Sequence, residues 1–276
     1  MKNLRPPSFD SIIAFREIVE GKQGVRRTRL LRLIPQVQVR QRRFLAVTSD
    51  IAMVHRCTSL TAAQKADLIH CYEVPTKALD RICAQIKSAQ EHILQSQCQY
   101  CGVNPLTATF DHYLPKEQFA EFSGFAPNLL PCCRDCNSKK GRVWKHAGRR
   151  QVLNLYYDSI PVTRYLSAKI LFTNNIPRAE FRFRKGLGKF GGKRRLITAH
   201  FKKLELFDVY AKAATIELGE QIDLIGSLKP HLTEGEIAEL LRRKSRNLSR
   251  QFSPNYWKVA LLKGIAASPR CLGMSQ

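Results

Sequence analysis

Two pairs of cysteines carry the first chemistry in this chain. Two residues separate Cys98 from Cys101, and two separate Cys133 from Cys136. That gap lets both thiolates of a pair reach one tetrahedral ion at about 2.3 Å, the geometry of structural zinc. Between Cys101 and Cys133 lie 31 residues, more than a zinc ribbon uses, so a folded segment is expected between the pairs. Gly102 suits a tight turn with positive φ. Cys132 is an alternative ligand, but three residues separate it from Cys136, and Cys133 is preferred. The competing reading is two unrelated reduced pairs. Cys57, Cys71, Cys83 and Cys271 stand alone in sequence and are expected as core or surface thiols. The nine cysteines are an odd count, which argues against a disulfide framework and for a reducing compartment.

Between the pairs stands Phe110-Asp111-His112-Tyr113-Leu114-Pro115-Lys116. The insert ends with Asn128-Leu129-Leu130-Pro131-Cys132-Cys133, and Cys136-Asn137-Ser138-Lys139-Lys140-Gly141 follows. In this order the segment resembles the HNH endonuclease family: Cys-x-x-Cys, Asp-His-x-x-Pro, Asn-Leu, then Cys-x-x-Cys-Asn-x-x-Lys-Gly. The resemblance spans 98–141 and says little about the flanks. It implies a ββα-metal module, with a first strand over Phe110 to Tyr113, a second from near Asn128, and a helix from near Cys136. It also implies that zinc on Cys98, Cys101, Cys133 and Cys136 is structural, with all four positions filled, and does not activate water.

The resemblance further assigns roles. His112 is the expected general base, because imidazole titrates near neutral pH. The leaving 3′-oxygen needs a cation, and Mg²⁺ or Mn²⁺ would take hard oxygen ligands from Asp111 and Asn137. Asn128 is the middle Asn of the family, expected to pin a loop rather than touch substrate. Asn137 replaces the family's last His and favours an oxygen-rich site. Lys116, Lys140 and Arg142 are the expected phosphate contacts. His146 is expected to be solvent-exposed, and His55, His70, His92, His200 and His231 receive no role.

The whole composition agrees with a polyanionic partner. Lys and Arg number 46 against 22 Asp and Glu, a net charge of +24, and nucleic acid is the commonest polyanion for such a protein. DNA is the expected substrate. A basic ribosome- or membrane-surface protein is the bland alternative. No apolar run is long enough to span a membrane, and the start lacks a signal-peptide core, so a cytoplasmic protein without a membrane partner is expected. The Asp-His-Tyr-Leu-Pro-Lys run followed by Phe-x-x-Phe is also similar to HNH subunits of bacterial anti-phage systems. That resemblance implies a separate ATPase or other defence-system subunit as partner. The competing function is a catalytically inactive zinc-dependent nucleic-acid-binding or assembly protein.

Three regions must position these residues, in an α+β chain. Residues 1–97 read as helical and basic. A short helix follows Ser11, and Pro35 is expected to break the Arg-rich stretch after it. Thr61 and Gln64 form a capping box for a helix carrying Leu68, Ile69 and Tyr72. Pro75 ends that helix or starts the next, and Leu79, Ile82, Ile86 and Ile93 mark a helix running towards Cys98. Residues 98–150 are the zinc-stapled module. Residues 151–276 open on a hairpin: Ala179, Phe181 and Phe183 alternate with charges, opposite Tyr165 to Thr173. The turn is expected at Asn174-Asn175, lengthened by Ile176-Pro177. A loop with Gly186, Gly188, Gly191 and Gly192 among basic residues lacks a Walker pattern and reads as flexible phosphate contact. Helices close the chain, one capped by Thr233 and Glu236, with a face of Arg242, Arg243, Lys244 and Arg246. Trp257 fits either a core or an interface.

Overall fold

The computed structural model describes residues 1–185 and 192–274. The fold is α+β, and its backbone divides into two compact units. One holds Asn3–Tyr100 and Pro105–Ser159. The other holds Ile160–Gln276 with Met1–Lys2 and Cys101–Asn104. The division falls after Ser159 rather than after 150, and the N-terminal helices belong to the same unit as the 105–159 segment.

The first unit opens on α1 (Ser11–Glu20), started by Asp10, whose carboxylate accepts from the Ile12 and Ile13 amides. Next, α2 runs from Gly24 to Ala46 straight through Pro35. The expected break does not occur. Proline removes one backbone donor, but Leu30, Leu33, Ile34, Val37, Gln41 and Phe44 are buried on one side, and α2 packs on α1 and on α3 (Ala62–Glu73). Packing of that stripe outweighs the lost bond. At the start of α3 the capping box is complete: Thr61 Oγ1 accepts from the Gln64 amide and Gln64 Oε1 from the Thr61 amide. The stretch towards Cys98 is two helices, α4 (Lys77–Ser88) and α5 (His92–Gln95), not one. The break is locked by Gln90, whose amide donates to the Ile86 and Arg5 carbonyls.

Strand β1 (Phe110–His112) then pairs antiparallel with β2 (Leu129–Pro131), Asp111 opposite Leu130. Helix α6 (Arg134–Lys140) follows at once. It starts two residues before Cys136, because the Cys133 sulfur caps it by accepting from the Cys136 amide. A short ribbon, β3 (Lys145–His146) with β4 (Arg149–Arg150), closes the segment. Beneath lies an aromatic core of Phe44, Phe119, Phe122, Phe125 and Trp144. Phe44 meets Phe122 edge-on at 5.2 Å, and Phe119 meets Trp144 at 5.6 Å. Each such ring contributes roughly 1.5–3 kcal/mol by burial.

In the second unit β5 (Leu166–Thr173) and β6 (Ile176–Phe183) form a hairpin. Its turn is the two residues Asn174 and Asn175, both at positive φ, as a tight two-residue turn requires. Ile176 and Pro177 pair within β6 and do not lengthen the loop. Then come α7 (Gly192–Lys203), α8 (Leu206–Leu228), α9 (Glu234–Gln251), α10 (Trp257–Ile265) and α11 (Pro269–Leu272). The Thr233–Glu236 capping box of α9 is present. Trp257 is a core residue: it is buried and its indole N–H donates to the Gly102 carbonyl. The glycine loop expected at Gly186, Gly188 and Gly191 lies outside the described residues. No described helix is long and apolar enough to cross a membrane.

Candidate metal centre and histidine site

The four expected cysteines converge. The sulfurs of Cys98, Cys101, Cys133 and Cys136 all lie within 4.8 Å of one another, and all four residues are buried. Sulfurs at about 2.3 Å from a tetrahedral ion stand about 3.8 Å apart, so the set fits one zinc. Gly102, at φ +67°, makes the turn after the first pair. Cys132 is buried but outside the cluster, as preferred from its spacing. Burial raises its thiol pKa, which keeps it protonated.

His112 is the last residue of β1 and is 9% exposed. Its Nε2 lies 2.8 Å from the Ser123 carbonyl oxygen. A carbonyl only accepts, so Nε2 carries the proton and Nδ1 holds the lone pair of the neutral ring. Nδ1 makes no hydrogen bond among the described residues. Burial pushes the imidazole pKa down to about 4, well below the near-neutral titration expected from the residue type, so the ring is neutral at physiological pH.

Three supports hold this histidine. Tyr72, from α3, meets the ring edge-on at 4.3 Å. Ser123 is held by the turn before it: its Oγ donates to the Ala120 carbonyl, and Glu121 in that turn is 1% exposed and accepts from Arg40 of α2 at 3.0 Å. Asn128 is fully buried. Its Oδ1 accepts from the Leu114 amide at 2.8 Å, and its Nδ2 donates to the Leu114 and Phe122 carbonyls. It ties together both ends of the 114–128 loop.

Asp111 and Lys140 differ from expectation. The Lys140 ammonium lies 2.7 Å from Asp111 Oδ1, with both side chains almost wholly buried. It also donates to the His112 carbonyl at 2.8 Å. Tyr100 donates to Asp111 Oδ2 at 2.9 Å. Lys140 is thus not a phosphate contact: its charge neutralises a buried carboxylate under β1. Both oxygens of Asp111 accept from protein donors, and Lys140 already supplies the carboxylate with a cation. Asn137, one helical turn before Lys140, is half-exposed, with no side-chain hydrogen bond among the described residues.

Lys116 is bound by Glu73 at 2.8 Å and Glu117 at 3.0 Å, so it too lacks the open charge of a phosphate contact. Arg142 is the most exposed of the three expected contacts, with its side chain 73% exposed, and it stands 3.9 Å from Glu117. His146 is exposed, as expected. Sequence reasoning missed Tyr72, Tyr100, Ser123 and the Arg40–Glu121 pair. Tyr72 and Arg40 reach the site from helices far back in the chain, and Tyr100 and Ser123, eleven residues from Asp111 and His112, carry no motif that announces them.

No family model matches the chain, and no solved structure matches it. The chain is similar to "Protein ea31" of Escherichia phage lambda, at 27% identity over 183 residues, covering 62% of this chain. The chain also spans 62% of that relative's length. The relative's name states no activity.

Proposed function

We propose that this protein is a phosphodiester hydrolase of the HNH type, acting on nucleic acid, with a structural zinc on its four cysteines. The observation that carries the reading is His112. A neutral imidazole is pinned through Nε2 by the Ser123 carbonyl, keeps its Nδ1 lone pair free of hydrogen bonds among the described residues, and sits at the end of a strand in a β1–β2–α6 sequence of elements. In this reading Nδ1 takes the proton from an attacking water. Ser123 fixes the ring, Tyr72 holds its plane, and Asn128 keeps the loop closed. The net charge of +24 supports a polyanionic substrate. Near the site in sequence, Asn137 is half-exposed and Arg142 exposed, and in this reading they meet the phosphate or its cation.

One observation favours a second reading. The buried Asp111–Lys140 pair supplies the carboxylate with an internal cation, which suits a catalytically inert, zinc-stapled nucleic-acid-binding protein.

The two readings separate in a cleavage panel of supercoiled plasmid, single-stranded DNA and RNA, titrated with Mg²⁺ and Mn²⁺. Cleavage of any of these that is lost in His112→Ala supports the hydrolase. Binding without cleavage under every condition supports the inert reading.

A further inference from the structure

The second unit holds a cluster of cations with no role in the histidine site. Hydrogen bonding of the β5–β6 hairpin continues past its named ends, where the Arg184 amide donates to the Tyr165 carbonyl at 2.8 Å. That places Arg184 opposite Tyr165, one residue from Arg164, at the open end of the ribbon. Helix α10 crosses β5 closely: a Cβ on Gly264 would stand 2.8 Å from the Ala168 carbonyl oxygen. Only glycine allows that approach, and it brings the neighbouring Lys263 down beside the strand. Helix α9 packs on α10 and adds Arg246.

The charges that act on Lys263 are all positive. Partial burial lowers its pKa first, and Arg164, Arg184 and Arg246 lower it further. Arg164 is itself half-buried and repelled by Arg184. Among the described residues no ion pair engages Arg164, Arg184 or Lys263, and Arg246 alone has an acid, Glu239 at 2.7 Å. Four cations, two flanking the hairpin and one each from α9 and α10, held near enough to repel one another, cost stability unless an anion shares them.

We propose that Arg164, Arg184, Arg246 and Lys263 form a phosphate-binding site that takes the phosphodiester backbone of a nucleic acid. A polymer suits the surroundings better than a single small anion. Lys185, Lys193, Arg194 and Arg195 are exposed along the adjoining chain, and the segment 186–191 between them carries one lysine and no acid. The site reads backbone charge, not base identity. It does not depend on cleavage at His112.

The test is fluorescence anisotropy of a labelled DNA duplex with the full chain, across a salt series and without added divalent ion. Wild type is compared with Arg184→Gln/Lys263→Gln and with a charge-matched control, Arg16→Gln/Lys77→Gln. The cluster variant should weaken binding at least ~10-fold and reduce the log–log salt slope by about 1.8, one counterion release for each lost contact. The control should shift affinity by less than about 3-fold and the slope by less than one. Thermal melts are run on Lys263→Gln alone. Relief of repulsion should leave its Tm unchanged or raised. Equal losses in the two double variants would reduce the cluster to net charge and overturn the proposal. A marked drop in Tm for Lys263→Gln would overturn it in favour of a structural role. Stabilisation by inorganic phosphate that vanishes in the cluster variant, with DNA affinity untouched, would overturn the polymer assignment. A wild-type protein that binds through this cluster but never cuts would defeat only the hydrolase reading.

Discussion

His112 Nε2 lies 2.8 Å from the carbonyl oxygen of Ser123, eleven residues further along the chain. That single contact fixes the tautomer of the ring and leaves the lone pair on Nδ1. It also makes the histidine depend on the turn before Ser123, and so on Glu121 and the Arg40 guanidinium that reaches it from α2. The N-terminal helices are therefore part of the frame that holds the histidine.

The four-cysteine cluster implies that the 98–136 segment owes its folding to metal. Cys133→Ser should lower bound zinc from about one ion per chain to well below that and destabilise the segment. Zinc content by atomic absorption, with near-UV circular dichroism before and after chelation, checks this. A zinc-free Cys133→Ser protein with unchanged unfolding would remove the staple from the account.

Lys140 distinguishes a buried ion pair from a surface phosphate contact. Lys140→Met leaves the Asp111 charge buried with only Tyr100 as donor, and should cost roughly 3–5 kcal/mol in urea unfolding. Adding Asp111→Leu should restore more than half of that loss, since the pair can then be replaced by apolar packing. If Lys140→Met is as stable as wild type but loses salt-dependent DNA binding, the lysine faces phosphate after all.

Asn128 makes three buried hydrogen bonds to backbone groups of the loop. Asn128→Ala should lower stability by roughly 2–4 kcal/mol, because those groups lose their partners without gaining water. Hydrogen exchange should quicken at the Leu114 amide before it does in α2. Uniform loss of protection across the unit would show that the asparagine does not act on the loop.

Asp67 of α3 is held by Arg26 and Arg29 of α2 at 3.0 and 2.6 Å. The Arg29 hydrogen bond chiefly lowers its pKa. A folded-state carboxyl held below its unfolded value, about 3.9, contributes stability above that pH and loses it as pH falls through the folded value. Asp67→Asn should therefore cost roughly 1–2 kcal/mol at pH 7, discounted because both arginines are half-exposed. The difference from wild type should shrink below about pH 4. A gap that stays constant down to pH 3 would mean the charge is not the source.

What the sequence makes legible follows from how local the signal is. The cysteine pairs, both capping boxes and the alternating hairpin are short-range patterns, and each appears in the structure at the residues that carry it. Asn128 lands on its loop because the motif around it is local too. Pro35 misleads because the buried stripe from Leu30 to Phe44 outweighs one missing donor. Lys140 misleads because a lysine beside a glycine after a short helix reads as surface. Its burial depends on Asp111, 29 residues away in sequence. Tyr72 and Arg40 belong to helices whose approach to β1 is a property of the packed unit, and no spacing encodes it.

The central claim rests on one measurement: nicking of supercoiled plasmid by the full zinc-loaded chain, with Mg²⁺ or Mn²⁺ titrated in, for wild type and for His112→Ala of matched zinc content and Tm. Wild type should nick, and His112→Ala should be slower by about 10²–10⁴-fold while binding the plasmid with unchanged affinity. Equal nicking by both proteins, or none by the wild type at any metal concentration, would contradict it.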